Sequence, residues 1–457
     1  MIISHEIPQN EPVSNDFDIT INGKPCESYR ARVSAIKKNE PWPGHQRPIE
    51  ESEMASFISV STDEQLEFNV VAHNSFQEAI IRPTRKITNL MTQGQILSFT
   101  ISEPGQYTLE LDGLHRALHI FVNPVRDFSK EKENATYCFE KGIHHVGKLI
   151  LKSRESVYID EGAVVYGCIC GERVNDIVIS GYGIIDDSWE ERASEDLWTV
   201  NGCIRFYYST NVRIEGVVCR DSSTWNIDFY SCDRIHIDNI KIIGSWRYNT
   251  DGIDVCNSSN VIIENSFIRS FDDAIVIKGL PGYDFKNCEN YFIRNCVVWC
   301  DWGHAIEIGA ETTAYEMCHI HYEDCDIIHG GYRCLSIQNC CRAKVHDIHY
   351  KNMYIDYTVH DIIPKLFSVR ITNGYGLGIF FDDPDVRGEN TDIHYENIHI
   401  HLDDGMGIPT SDFHGIDSDH LCHNIHFHNI TFNGERLYTL EQLTMDVNEY
   451  IHNITLD

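Results

Sequence analysis

Asp251, Asp273, His304 and Arg333 each stand immediately before a short apolar run. The runs are Gly-Ile-Asp-Val-Cys (252–256), Ala-Ile-Val-Ile-Lys (274–278), Ala-Ile-Glu-Ile-Gly (305–309) and Cys-Leu-Ser-Ile-Gln (334–338). Trp225 holds the same place before Asn-Ile-Asp-Phe-Tyr (226–230), and Asp272 adjoins Asp273. If those runs stack as parallel strands about 4.8 Å apart, the five residues form a column with Asp272 beside it. Carboxylates crowded in this way cannot all ionise freely, so one keeps a proton near neutral pH while another stays a base. A proton donor and a base on either side of a bond is the equipment that glycosidic hydrolysis requires. Any single Asp before a strand is also a good turn former. The register of the whole set is what points to chemistry.

Such a column needs a repeating scaffold. The runs begin at 203, 226, 252, 274, 305 and 334, in steps of 23, 26, 22, 31 and 29 residues. Each unit holds a strand, an Asn/Ser turn, a second strand such as Asn-Val-Ile-Ile-Glu-Asn (260–265) and a variable loop. A unit of that length with two or three strands matches one coil of a parallel β-helix. The leucine-rich horseshoe is the rival, and its signature is missing. Weaker copies continue through Phe-Ser-Val-Arg-Ile-Thr-Asn (367–373) to the last residues. Residues 1–125 instead alternate apolar and polar over short stretches, as in Phe17–Ile21, Leu66–Val71 and Tyr107–Leu111, which predicts an antiparallel β-sandwich. The expected organisation is all-β: a sandwich over 1–125, a charged linker over 126–141 and a right-handed parallel β-helix over 142–457.

Composition narrows the partners. A net charge of −32 argues against nucleic acid and against anionic membrane, since phosphate neutralisation needs basic surface. No apolar stretch reaches the ~18 residues of a membrane span. The N-terminus lacks the basic and apolar regions of a secretory signal, so a cytoplasmic location is expected. The 17 cysteines lie scattered in apolar runs and are expected to be mostly buried free thiols. The partner expected is a carbohydrate substrate, with no cofactor and no metal; the oligomeric state stays open.

Three segments also resemble a known family. Asn249-Thr250-Asp251-Gly252-Ile253-Asp254, Asp272-Asp273-Ala274-Ile275 and Gly303-His304-Ala305 are similar, in order and spacing, to the NTDG, DD and GHG motifs of polygalacturonases. Those are β-helix glycoside hydrolases that share a clan with dextranases and isopullulanase. Upstream, Gly147–Ser153, Glu161–Ala163 and Ile179–Asp186 resemble that family's first coils, so the likeness covers roughly 142–355. The resemblance implies an inverting mechanism in which Asp272 is the proton donor, Asp251 and Asp273 hold and activate water, and His304 tunes the donor and contacts substrate.

The departures bear on the substrate. Ala305 replaces the second glycine of the GHG motif, and Ser336-Ile337-Gln338 stands where the family's Arg-Ile-Lys is expected. Glu307 adds a negative charge to the groove. With those changes the expected substrate leans to a neutral, dextran-like α-glycan, with galacturonides as the alternative. A non-catalytic glycan-binding β-helix or a polysaccharide lyase remain further alternatives. Asn249, Asp254, Lys278, Glu307, Arg333, Gln338, Trp225 and Trp302 are the candidate substrate-binding residues, and Trp246 and Tyr332 stand on the same coil edges. The histidines of 319–325, 346–350, 398–401 and 423–429 are expected to form outward ladders of like residues. Asp382-Asp383 is expected to be a surface turn.

Overall fold

The computed structural model describes residues 2–35, 46–192, 197–357, 364–373, 386–403 and 405–457; Asp382 and Asp383 lie outside them. Thirty strands between Tyr137 and Leu456 form one array, parallel except where Glu435–Arg436 runs antiparallel to Cys422–Phe432. In its middle, each coil contributes three strands: Ile253–Cys256, Ser259–Glu264 and Phe267–Ser270 make one coil, and Ile275–Gly279, Cys288–Arg294 and Val297–Cys300 make the next. Each strand pairs in parallel with its counterpart one coil on, as Ile253 does with Ile275. This is the expected β-helix.

Two local rules build the coil. Strand alternation points Ile253 and Val255 inward, where both are fully buried. Interior positions then stack on like neighbours: the rings of Tyr322, Tyr350, Tyr395 and Phe427 lie 5.0, 5.0 and 4.8 Å apart in series. At the turns, asparagines such as Asn260, Asn265, Asn290 and Asn295 adopt positive φ. Asparagine tolerates that region, and its amide both donates and accepts. Asn295 thus donates to Asn265 at 3.3 Å, and Asn265 to Asp238 at 2.7 Å, clipping each turn to the next.

Ahead of the array stand a six-stranded and a five-stranded sheet, whose facing residues (Phe68, Val70, Leu97, Leu109 and Ile120 among them) form a separate core. The pairing is antiparallel except where Ala117–Pro124 runs parallel to Ser52–Thr62. Within 126–141, Ser129–Asn134 is helical and Tyr137–Phe139 already pairs with the parallel array. The other side of the six-stranded sheet packs on the third strands of the coils, bringing Tyr29, Phe57 and Phe121 against Ile184, Phe267 and Trp299. Burying each such aromatic stabilises the contact by about 2 kcal/mol. Buried ion pairs accompany it, with Glu110 held by His329 at 2.7 Å and Arg82 at 3.2 Å. The sandwich therefore covers the third-strand face and leaves the first-strand face, with its column of acids, to the groove.

Fifteen of the seventeen cysteines are buried and all are free, as their apolar settings suggested. Among the described residues no helix is long and apolar enough to cross a membrane.

Candidate active site

The first strands carry three columns of outward or edge positions. The first runs Trp225, Asp251, Asp273, His304, Arg333 and Lys365. Backbone hydrogen bonds tie it together: Asn226 donates to the Asp251 carbonyl at 3.0 Å, Gly252 to Asp273 at 2.7 Å and Ala274 to His304 at 2.8 Å. His304 then pairs with Arg333, and Arg333 with Lys365. The second column runs Arg205, Asp228, Asp254, Val276, Glu307, Ser336, Ser368 and Asp412. The third includes Tyr230, Cys256 and Lys278, then Gln338 and Arg370 further down.

Asp272 and Asp273 are neighbours with opposite electrostatics. Burial, reinforced by Asp251 and Asp273, pushes the Asp272 carboxyl well above the ordinary carboxylate range. No hydrogen bond or ion pair reaches that carboxyl among the described residues. Burial would raise Asp273 as well, but the charge and hydrogen bonds of His304 outweigh it and hold Asp273 below its usual value. The His304 backbone N–H and Nδ1 lie 2.9 and 2.7 Å from one oxygen of Asp273. Asp251 is buried, its pKa raised by burial and by Asp254; Lys278, 3.2 Å from one oxygen, offsets part of that rise. The other Asp251 oxygen is buried without a partner. The crowded acids titrate as a set.

Glycine 303 explains how Asp272 is admitted. A Cβ at 303 would come within 2.6 Å of Asp272 Oδ1 and of the Asp272 carbonyl carbon. Gly252 does the same for the coil below, where a Cβ would meet the Ala274 oxygen at 2.2 Å. The Asp-Gly and Gly-His pairs are thus packing requirements of closely stacked coils.

His304 bridges two acids. Its Nδ1 contacts Asp273 and Glu307, and these carboxylates lift its pKa to about 10 against the lowering effect of burial. Arg333 Nη1 stands 3.2 Å from Nε2. Asp273, His304 and Glu307 are also the site residues whose donor atoms lie close enough together to hold a metal ion. The imidazolium already supplies the positive charge between the two acids.

The remaining candidates fall into two groups. Asp254 is fully buried, with Lys278 at 2.9 Å, and burial raises it to about 8. Lys278 lies 4.0 Å over the ring of Trp225, itself buried, so Lys278, Asp251, Asp254 and Trp225 form one closed unit. Trp246 is buried as well, hydrogen-bonded to Asp221 at 2.9 Å. Nearer the opening, Asn249 is half-buried in a left-handed turn and accepts from Arg192 at 3.2 Å. Trp302 is half-buried, stacked 5.7 Å from Phe271, and Tyr332 is exposed beside His304.

The sequence reading passed over Lys365, Arg370 and Asp412. Arg370 donates to Gln338 at 2.5 Å, and Arg333, Lys365 and Arg370 lie 3.3, 3.7 and 3.8 Å from the Asp412 carboxylate. The cations absent from 336 and 338 therefore arrive on the next coil. Extending the register through Phe-Ser-Val-Arg-Ile (367–371) would have placed Arg370 beneath Gln338. Asp228 was missed too: buried against Arg205 at 2.6 Å, it is raised to about 6 by burial.

The chain is similar to known proteins in sequence and in fold. Residues 137–363 match the model for glycosyl hydrolases family 28. An exopolygalacturonase of Arabidopsis thaliana is 23% identical over 281 residues, covering 55% of this chain and 63% of that protein. The chain thus spans less than two thirds of that relative's length. Among solved structures, Dex49A from Penicillium minioluteum superposes with a TM-score of 0.67 at 13% identity, covering 99% of this chain and 96% of the other. An exopolygalacturonase from Thermotoga maritima gives 0.55 at 15% identity, covering 71% and 85%. The solved structures share the fold, sandwich included in the first case. The stretch 137–363, which carries Asp251, Asp272, Asp273, His304 and Glu307, belongs to glycosyl hydrolases family 28.

Proposed function

We propose that this protein is a glycosidase that cleaves α-linked oligo- or polysaccharide by an inverting two-carboxylate mechanism. One observation carries the reading: the His304 backbone N–H and Nδ1 both hold one oxygen of Asp273 and lower its pKa, while burial and the neighbouring acids raise that of the adjacent Asp272. Asp272 is poised to protonate the leaving oxygen, and Asp273, kept ionised by His304, to accept a proton from water, with Asp251 helping to hold that water. His304 sets the charge of Asp273 and, with Arg333, faces the sugar. Trp302 and Tyr332 offer ring faces at the rim for apolar sugar CH groups.

For the substrate, three cations converging on the single carboxylate of Asp412 favour a sugar that carries its own carboxylate, as a uronide does. That the Arabidopsis thaliana relative is an exopolygalacturonase agrees with this. The second reading, a neutral α-glucan, is favoured by the negative charge of Glu307, buried against His304, and by Gln338, whose carbonyl already accepts from Arg370. A panel of galacturonides, α-glucans and mixed oligosaccharides, with product anomers followed by NMR, separates them. Early release of the retained anomer would defeat the inverting mechanism. An unsaturated product absorbing in the near ultraviolet would show a lyase instead.

A further inference from the structure

Away from the groove, the second strands of two successive coils, Glu316–Glu323 and Lys344–Tyr357, bring together a different set of donors. Strand alternation puts Glu316 and Cys318 on one side, and the register places His346 directly on Cys318. One Glu316 oxygen lies 3.6 Å from His346 Nε2 and 4.0 Å from Cys318 Sγ, and all three donor atoms fall within 4.8 Å of one another. We propose that Glu316, Cys318 and His346 form a zinc site that clamps these two coils.

Three further observations support it. Cys318 is 1% exposed, and its thiol is aimed at the Glu316 carboxylate. His346 Nε2 is buried without a hydrogen-bond partner, an unusual state for an imidazole nitrogen and the one a metal would relieve. Lys344, which pairs in register with Glu316, turns instead to Glu389 at 3.8 Å, leaving the Glu316 charge for a cation. Asn287 donates to the same Glu316 oxygen at 3.4 Å. Glu289 sits one coil from Cys318 in the same column but accepts from Asn287 at 3.2 Å, so water would complete the tetrahedron. A thiolate, an imidazole and a carboxylate suit zinc better than magnesium or calcium, which prefer oxygen donors alone. Binding exchanges the thiol proton, released to solvent, for a sulfur–zinc bond.

The test uses the full chain loaded with Zn²⁺ or Co²⁺, desalted, and analysed for bound metal. The expected result is about one zinc per chain that lowers to near zero in Cys318→Ser and His346→Gln. Cobalt should show a near-ultraviolet thiolate band in the wild type only, and chelation should lower the melting temperature of the wild type but not of the variants. The 24 histidines of the chain make weak adventitious binding a real competitor. Zinc retained equally by wild type and variants, or cobalt without the thiolate band, would overturn the site. Glu316→Gln, a partly exposed position, serves should Cys318→Ser fail to fold: it must weaken retention while leaving circular dichroism unchanged.

Discussion

The first-strand face and the second-strand face of the helix are built by the same stacking, yet they hold opposite kinds of column. On the second-strand face, His321, His349, His394 and His426 stack in series with ring centroids 4.7, 4.7 and 5.1 Å apart. Like lies on like there, as the recurring histidines suggested. On the first-strand face the column changes chemistry along its length, from indole through two carboxylates to imidazole and guanidinium. One buried oxygen of Asp251 there lacks a hydrogen-bond partner, and the buried carboxylates of Asp254 and Glu307 are met by the charges of Lys278 and His304. A ladder of identical residues contributes stability and asks for nothing further. A column of unlike ionisable groups forgoes part of that stability, which is where reactivity is held.

The sharpest way to break this contrast is Asp272→Asn. With the proton donor gone, kcat should fall on the order of 10³-fold while the thermal transition stays within a degree or so of wild type. His349→Ala should do the reverse. Activity that survives Asp272→Asn would reduce the groove to another structural ladder, and a non-catalytic glycan-binding role would then stand. Next in size is Arg370→Ala. Losing one charge-assisted contact should raise KM for a uronide by about 10- to 100-fold and leave a neutral glucan unaffected. An equal effect on both substrates would assign Arg370 to scaffolding.

The two faces should also respond to pH in opposite senses. His304 is lifted to about 10, so its imidazolium stabilises the fold in full below its unfolded value near 6.5. That contribution fades as pH rises toward about 10. His321 and His394 are lowered, by burial first and by their histidine neighbours second. Their contribution is complete above 6.5 and erodes as pH falls below it. Melting temperatures followed across pH should therefore decline at both ends. Glu307→Gln should shrink the alkaline decline, because Glu307 is the stronger of the two charges raising His304, and leave the acid one intact. An unchanged alkaline limb in that variant would uncouple Glu307 from His304. The smallest effect belongs to His349→Ala itself. Losing its two stacking contacts should cost about 1 kcal/mol, a shift of ~2 °C or less in a chain of this size, by calorimetry.

Period and pattern made the helix legible, because a coil that buries Ile253 and Val255 must present its neighbours outward, and the next coil must repeat it. The same reasoning put Asp251, Asp273, His304 and Arg333 in line, since the runs behind them start in step. Arg370 was within reach of the same register, extended through 367–371, whereas Asp412 escaped it, because the long connection after Ile371 blurs the register and only backbone pairing restores it. Which acids lie open and which are closed was also decided in three dimensions. Asp254 and Lys278 read as groove residues, yet Trp225 and the coils on either side enclose them. The order of residues specifies which groups share a column. Their protonation depends on burial and on neighbours drawn from other coils, and these exist only once the coils have stacked.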